Sequence, residues 1–453
     1  MSTTALLLIV VAAIALLLFL VIKIRLHAFL ALLLVGMFTG MASGMDLEPL
    51  LKSVEEGMGS ILGFVAIIIG LGAIFGQILE ATGGAEALAR EMIRRFGLER
   101  SEWAMTLIGF LLSIPIFLDV AFIILVPLVY SLSRTAGKST LFYGIPLLAG
   151  LAVTHAFIPP TPGPVAVAEI VGAPLGWVII FGAIAGIPAA ILAGPVFGRY
   201  ISKKIHLEPP VPESVAPQEE EEEDHGNLLH LVVAVILLPL LLIIVRTTLE
   251  LLISNGTLAD AQWAQVLIFI GHPFSALIIA TLVAAYFLGT RRGFTRKQLL
   301  ELANKALGPA GLIILVTGAG GVFKQILVDS GIGASIAELM ADSAIPTLLL
   351  AWLLAVIIRV TQGSATVAMI TAAGMVVPLL NMMNPNDIQR SLVVIAIAAG
   401  ASLMSHVNDS GFWLVNKYLY MTEKQTLQSW TVMVSIISVV GLGMVLLLGL
   451  FFW

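Results

Sequence analysis

Apolar residues along this chain gather in long blocks separated by short polar stretches, and those blocks set the expected elements. Ten of them, near residues 5–22, 26–43, 58–80, 140–172, 176–198, 228–249, 264–288, 308–328, 391–416 and 430–451, approach or exceed the roughly 20 residues that carry a helix across a bilayer core. Two more, near 103–130 and 345–380, are too long for one straight helix and hold Gly, Pro or polar residues in their middles. Arg90, Arg94, Arg95 and Arg100 precede the first of these, and Arg134 and Lys138 follow it. Basic residues favour the cytoplasmic side, so both of its ends are expected there. The second lies between Glu338 and Asp342 on one side and Asn381 to Asp387 on the other, with Arg390 as its only basic flank. Both of its ends are expected outside. The pattern predicts an all-α polytopic protein with ten crossings and two re-entrant hairpins entered from opposite faces.

Composition agrees with lipid as the main solvent. Hydrophobic residues make up 59% of the chain, charged residues 11%, and the mean hydropathy is +1.05, values that would leave a soluble domain with a vast exposed apolar surface. The net charge is −5, and no basic face or arm tracks phosphates, so nucleic acid is not an expected partner. Cysteine is absent, which removes disulfides, thiolate metal sites and cysteine catalysis. The run from Ala5 to Ile22 has no positive residue before it, while Lys23 and Arg25 follow it. It reads as a retained span rather than a signal peptide, with the N-terminus outside. In the resulting topology the external loops hold only Lys52 and Arg390 among the basic residues, and the C-terminus is also expected outside.

The two halves of the chain repeat. GLGAIFGQILEATGGAEALAREM from Gly70 aligns without a gap to GAGGVFKQILVDSGIGASIAELM from Gly318, with Gly72/Gly320, Phe75/Phe323, Gln77/Gln325 and Gly83/Gly331 identical. After a shift of three, Pro127-Leu128 matches Pro378-Leu379, and Thr154-His155 matches Ser405-His406. Five crossings per half is an odd number, so the second half is expected upside down relative to the first. That is the architecture of alternating-access carriers. The expected division is 1–206 for one repeat, 207–227 for a linker and 228–453 for the other. The linker, with four prolines and the acidic run Glu219 to Asp224, reads as a solvated cytoplasmic segment.

Polar residues inside the apolar blocks are the candidate chemistry. Lipid offers backbone groups no partner, so a non-helical segment at membrane depth must be buried in protein or line a water-filled cavity. Four such places occur. The first hairpin turns at SIPIFLDVAF, with Ser113, Pro115 and Asp119, and the second at RVTQGSATVA, with Thr361, Gln362, Gly363, Ser364 and Thr366. Two crossings are broken, at THAFIPPTPGP from Thr154 and at SHVNDSGFW from Ser405. Pro159, Pro160, Pro162 and Pro164 cannot continue a helix, and Asn408, Asp409, Ser410 and Gly411 favour caps and turns. Half-helix N-termini meeting near the midplane would present unpaired N–H groups and positive dipole ends, which together make an anion site.

Each residue also has a plainer role. Asp119, Thr361, Ser364 and Asp409 can cap their own half-helices, His155 and His406 can be packing residues, and Arg359 fits a structural salt bridge as well as a carboxylate clamp. Gly70, Gly72, Gly318 and Gly320 fit close helix packing better than ligand contact.

IPIFLDVAFIILVPLVY, THAFIPPTPGPVAVA, QGSATVAMITAAG and SHVNDSGFW resemble the signature segments of the gluconate permease (GntP) family within the ion transporter superfamily. The likeness runs over nearly the whole chain except the acidic linker. It implies a proton symporter for gluconate or a related hydroxy or amino acid anion in a bacterial inner membrane, usually a homodimer, with a transport domain moving against a scaffold domain. D-serine and glycerate are alternative substrates within the resemblance. The implied binding positions are Ser113, Asp119, Thr154, His155, Thr161, Thr361, Gln362, Ser364, Thr366, His406, Asn408, Asp409 and Ser410. Arg359, Gly363 and Ser405 join them as neighbours of the same turns. The proton carrier is expected among Asp119, Asp409, His155 and His406, with Asp119 first, as a buried carboxylate beside an anionic substrate. An anion channel would need a continuous polar lining, whereas the polar residues cluster between apolar stretches such as GFLLS and LLLAWLLAVII. An enzyme is not expected, because no nucleophile elbow, HExxH zinc site or phosphate loop occurs. No cofactor or metal is expected.

Overall fold

A computed structural model describes residues 3–210, 225–332, 346–407 and 409–453. The acidic run, Asn408, and the repeat positions Ala337 and Met340 lie outside the described residues. Among the described residues the regular structure is entirely helical. In chain order the helices are α1 (Thr3–Leu18), α2 (Ala28–Ala42), α3 (Leu47–Ala81), α4 (Gly84–Phe96), α5 (Ser101–Leu112), α6 (Leu118–Ala136) and α7 (Thr140–Phe157). They continue as α8 (Pro162–Val171), α9 (Leu175–Ile191), α10 (Phe197–Lys204), α11 (His225–Ser254), α12 (Gln262–Ile270), α13 (Pro273–Ala284) and α14 (Arg296–Asp329). The last six are α15 (Thr347–Gln362), α16 (Ala365–Met383), α17 (Asp387–Ala401), α18 (Ser410–Tyr418), α19 (Glu423–Thr426) and α20 (Val432–Phe452). Nine described helical segments are long and apolar enough to cross a membrane, and the chain is a polytopic membrane protein.

Two packing groups organise these helices. In the first, α3 and α14 lie along each other, with α2 on α14 and α13 on α3. At 35 and 34 residues and about 1.5 Å per residue, these two helices exceed the roughly 30 Å hydrocarbon core, so they tilt or run on past it. They cross where side chains are missing. A Cβ on Gly57 would lie 2.7 Å from the Gly321 carbonyl oxygen, and one on Gly321 would lie 2.5 Å from the Gly57 oxygen, a close approach that only paired glycines allow.

The second group is built from α5 on α7, α15 on α17, α9 on α7 and α20 on α17. The helix order of the two halves runs in step, since α3, α5, α6, α7 and α8 have α14, α15, α16, α17 and α18 as their counterparts. The groups meet directly where α3 and α14 pack on α8 and α16, and α11 and α4 bridge them as well.

One expected crossing is corrected. The run at 264–288 is not one helix, because it breaks between Ile270 and Pro273. Pro273 has no N–H to continue α12, and the His272 ring accepts from the Phe274 N–H at 3.3 Å and starts a new helix. The span there runs over Pro273–Arg292.

Candidate functional site

The first hairpin closes because Pro115 interrupts the chain just after α5. Backbone bonds from Ser113 to Gly109 (3.1 Å) and from Ile116 to Leu112 (3.1 Å) finish that helix, and the buried Ser113 hydroxyl donates to Ile116 O at 3.4 Å. Phe117 occupies the N-cap of α6 with no side chain able to accept from the first turn. The free N–H groups of that turn therefore point their positive end out of the hairpin. Asp119 sits in this turn and is exposed, with no hydrogen bond or ion pair among the described residues. It corrects two expectations, since it neither caps α6 nor lies buried. As the second residue of the helix, it projects away from the core. Its charge acts on Glu80 of α3 and His155 of α7. His155 is half-buried, packs edge-on against Phe117 with centroids 6.4 Å apart, and encloses an Nδ1 atom without a partner.

The first break lies between Phe157 and Pro162. Thr154 and Thr161 are buried and spend their hydroxyls on the protein, donating to Phe110 O at 2.9 Å and to Ile158 O at 2.7 Å. Thr161 caps α8 without a side-chain bond to the first turn, where Pro162 and Pro164 have no N–H and Gly163 keeps the one early donor. A narrow cavity joins the break, the hairpin and α3, lined by Ile69 and Ala73, Ile114 and Phe117, and Pro160 and Thr161. Gly76 brings α3 directly onto the hairpin tip, since a Cβ there would overlap the Pro115 carbonyl oxygen.

The second hairpin and second break are clamped by charge. Arg359 is 4% exposed; it donates to Gly363 O and ion-pairs with Asp409, whose side chain is 12% exposed. Asp409 caps α18 by accepting from Gly411 N at 3.0 Å and also accepts from the Ser405 hydroxyl. Ser405 in turn accepts from Trp430 Nε1 at 2.7 Å, a contact with no signal in the sequence. His406 Nε2 meets Val360 O at 2.9 Å. Arg359 is thus a structural ion-pair residue in this arrangement, and the capping role of Asp409 is realised.

Gly363, at φ +81°, ends α15, and exposed Ser364 caps α16 by accepting from Val367 N at 3.4 Å. Thr361 does not cap, because its hydroxyl bonds back to Ile357 O (2.8 Å) and Ile358 O (2.9 Å) in its own helix. Thr366 is half-buried in the first turn of α16, and Ser410 is exposed at the start of α18. Gln362 stands apart: both polar atoms of its amide are enclosed, and neither has a partner among the described residues. Arg359 Nε, three residues earlier, is enclosed and unpartnered as well.

These places touch in sequence. The first hairpin meets the first break at Phe117 and His155, and the second hairpin meets the second break at Arg359 and Asp409. Between them, Gly163 of α8 lies against Met369 of α16, where an added Cβ would be 2.8 Å from the sulfur. The expected glycine packing holds at Gly318 and Gly320, where a Cβ would overlap Met58 and Ile370.

Helical hairpins packed against interrupted spans, with enclosed polar groups at their turns, are the architecture of a membrane transporter. The fold is shared with the Alcanivorax borkumensis YdaH transporter, at a TM-score of 0.59 and 15% identity over 90% of this chain and 89% of that one. The chain belongs to the GntP family of permeases, whose description, GntP family permease, matches residues 5–451. It is 42% identical to a gluconate permease of Pseudomonas aeruginosa, over 95% of this chain and 94% of that one. It is 41% identical to a low-affinity gluconate transporter of Escherichia coli K12, over 97% of each chain. Such proteins are transporters, not enzymes.

Proposed function

We propose that this permease imports gluconate, or a closely related hydroxy-acid anion, together with protons across a bacterial inner membrane by alternating access. The observation that carries the reading is the Gln362 amide, enclosed at a hairpin turn with two donors and an acceptor unused. Burying such a group without a partner costs about 1–3 kcal/mol, a cost that a polyhydroxylated ligand removes. The unshielded N-terminus of α6 supplies the positive end that a carboxylate seeks. Ser113, Thr154 and Thr161 shape the turns, while His155, Gln362, Ser364, Thr366, Asn408 and Ser410 are the positions we assign to substrate.

The matching helix order of the two halves supports inverted repeats at 1–206 and 228–453 joined by a cytoplasmic linker. It also supports movement of the α5–α9 and α15–α20 group against the α2, α3, α13 and α14 group. The working unit on this reading is a homodimer. The test is uptake of labelled gluconate into proteoliposomes under an imposed pH difference. One pH unit is worth about 1.4 kcal/mol per proton, so one coupled proton sustains about tenfold accumulation. Equal concentrations on both sides under that gradient would rule out proton coupling.

A further inference from the structure

Away from the turns described above, a second cavity of about 450 Å³ opens where α5 begins, α6 turns into α7 and α10 ends. Three cations line it, Lys138 from the turn and Arg199 and Lys203 from α10, with His206 just beyond that helix. Glu99 and Glu102 stand against them. Glu102 is already committed, because its side chain is 1% exposed and its Oε1 accepts from Arg199 Nε at 2.9 Å and from Nη2. The pair fixes one edge of a guanidinium that is itself half-exposed. Lys138 and Lys203 are exposed, and neither makes an ion pair among the described residues.

The chain that leaves α10 holds these groups together. Leu207 N–H donates to Ser139 Oγ at 3.0 Å, the Ser139 hydroxyl donates to Ile205 O at 3.1 Å, and Thr140 N–H donates to Leu207 O at 3.0 Å. The turn that carries Lys138 is thereby tied to the helix end that carries Lys203. The face of α10 that bears the cations continues as apolar surface. α9 passes through a π-helical turn into α10 as one span, Leu175–Lys204, on which Leu192, Val196 and Tyr200 are exposed. Val196, Arg199, Tyr200 and Lys203 fall at i, i+3, i+4 and i+7, one side of a helix. Lys204 Nζ lies 4.5 Å from the Tyr200 ring centroid, a pairing of aromatic ring and long cation that suits a bilayer surface.

We propose that this cavity binds the phosphate headgroup of an anionic phospholipid, with an acyl chain lying along Leu192, Val196 and Tyr200. Lys138, Lys203 and the free edge of Arg199 supply charge-assisted donors to the phosphate. The exposed apolar stripe runs directly into them, and a soluble phosphate would leave that stripe unused. Lys138, Arg199 and Lys203 belong to the basic segments expected on the cytoplasmic side, where the leaflet is anionic and basic pockets between spans take lipid headgroups. The site shares no residue with the hairpins and breaks, so the proposal does not depend on which anion is carried.

The purified full chain in detergent is titrated with phosphatidylglycerol and with phosphatidylcholine of the same chains, and bound lipid is counted by native mass spectrometry. The wild type is expected to hold phosphatidylglycerol at least about thirtyfold more tightly, the effect of two lysines beside an anionic headgroup. Lys138→Gln combined with Lys203→Gln should lose that preference, and Lys138→Arg combined with Lys203→Arg, which keeps the charges, should retain it. Arg296→Gln combined with Lys297→Gln removes the same charge elsewhere on the same expected side and should stay within about twofold of the wild type. Equal retention of the two lipids by the wild type overturns the proposal, as does loss of the preference in the arginine variant. An equal loss in the Arg296 and Lys297 variant overturns it too, because the attraction would then be diffuse. Glycerol phosphate, which lacks the chains, is expected not to compete at equal concentration; equal competition would make the cavity a site for soluble phosphate and overturn the lipid assignment. Phosphatidylglycerol bound only after the wild type dissociates into monomers would give the face to a second copy instead.

Discussion

Two neighbouring residues of the second hairpin show how differently a polar group can be used at membrane depth. Arg359 is saturated on one edge by Gly363 O and Asp409, whereas the Gln362 amide has no partner among the described residues. Removing one member of a buried ion pair leaves an uncompensated charge and costs about 3–5 kcal/mol. Asp409→Asn is therefore expected to lower the thermal unfolding midpoint in detergent, and Arg359→Gln combined with Asp409→Asn to recover part of the loss. An unchanged midpoint in the single variant would mean that water already serves both groups. Gln362→Leu removes a group that no atom of the described residues uses, so its midpoint should stay near the wild-type value. Its apparent substrate constant should rise about tenfold, the equivalent of one lost hydrogen bond worth about 1.4 kcal/mol. A fall in stability with the substrate constant unchanged would assign Gln362 to the fold instead.

At the scale of elements, proline and glycine decide where helices stop and how near they come. Gly76→Leu would place a side chain where the Pro115 carbonyl lies and should push the first hairpin off α3. Transport should fall at least about tenfold while the protein still reaches the membrane, since overpacking costs about 1–3 kcal/mol and does not by itself unfold a domain. Full activity in that variant would show that α3 and the hairpin separate freely. The first hairpin and first break were legible in the sequence because Pro115, Pro159 and Pro160 interrupt a helix, and the second hairpin and second break because Gln362 to Ser364 and Asn408 to Gly411 are polar or glycine runs that favour caps and turns. The break before α13 was not, because a single His272-Pro273 pair inside an apolar run also fits a kinked, continuous span. Asp119 was misplaced for a related reason: sequence gives its depth along the hairpin, whereas exposure depends on which way the first turn of α6 points.

For the whole molecule, orientation and movement are the properties that matter. With no native cysteine in the chain, Glu55→Cys and Asn386→Cys are expected to react with an impermeant thiol reagent added outside intact cells, and Lys138→Cys is expected to stay unlabelled. External labelling of Lys138→Cys would contradict the inverted arrangement of the halves. The central claim, that the chain is an alternating-access carrier for a gluconate-like anion, is tested most directly by counterflow. Proteoliposomes holding the purified chain and loaded with unlabelled gluconate are diluted into labelled gluconate with no ion gradient. The account predicts that label accumulates transiently above its external concentration, because a carrier returns loaded. Label that only equilibrates, or that fails to enter, would contradict it.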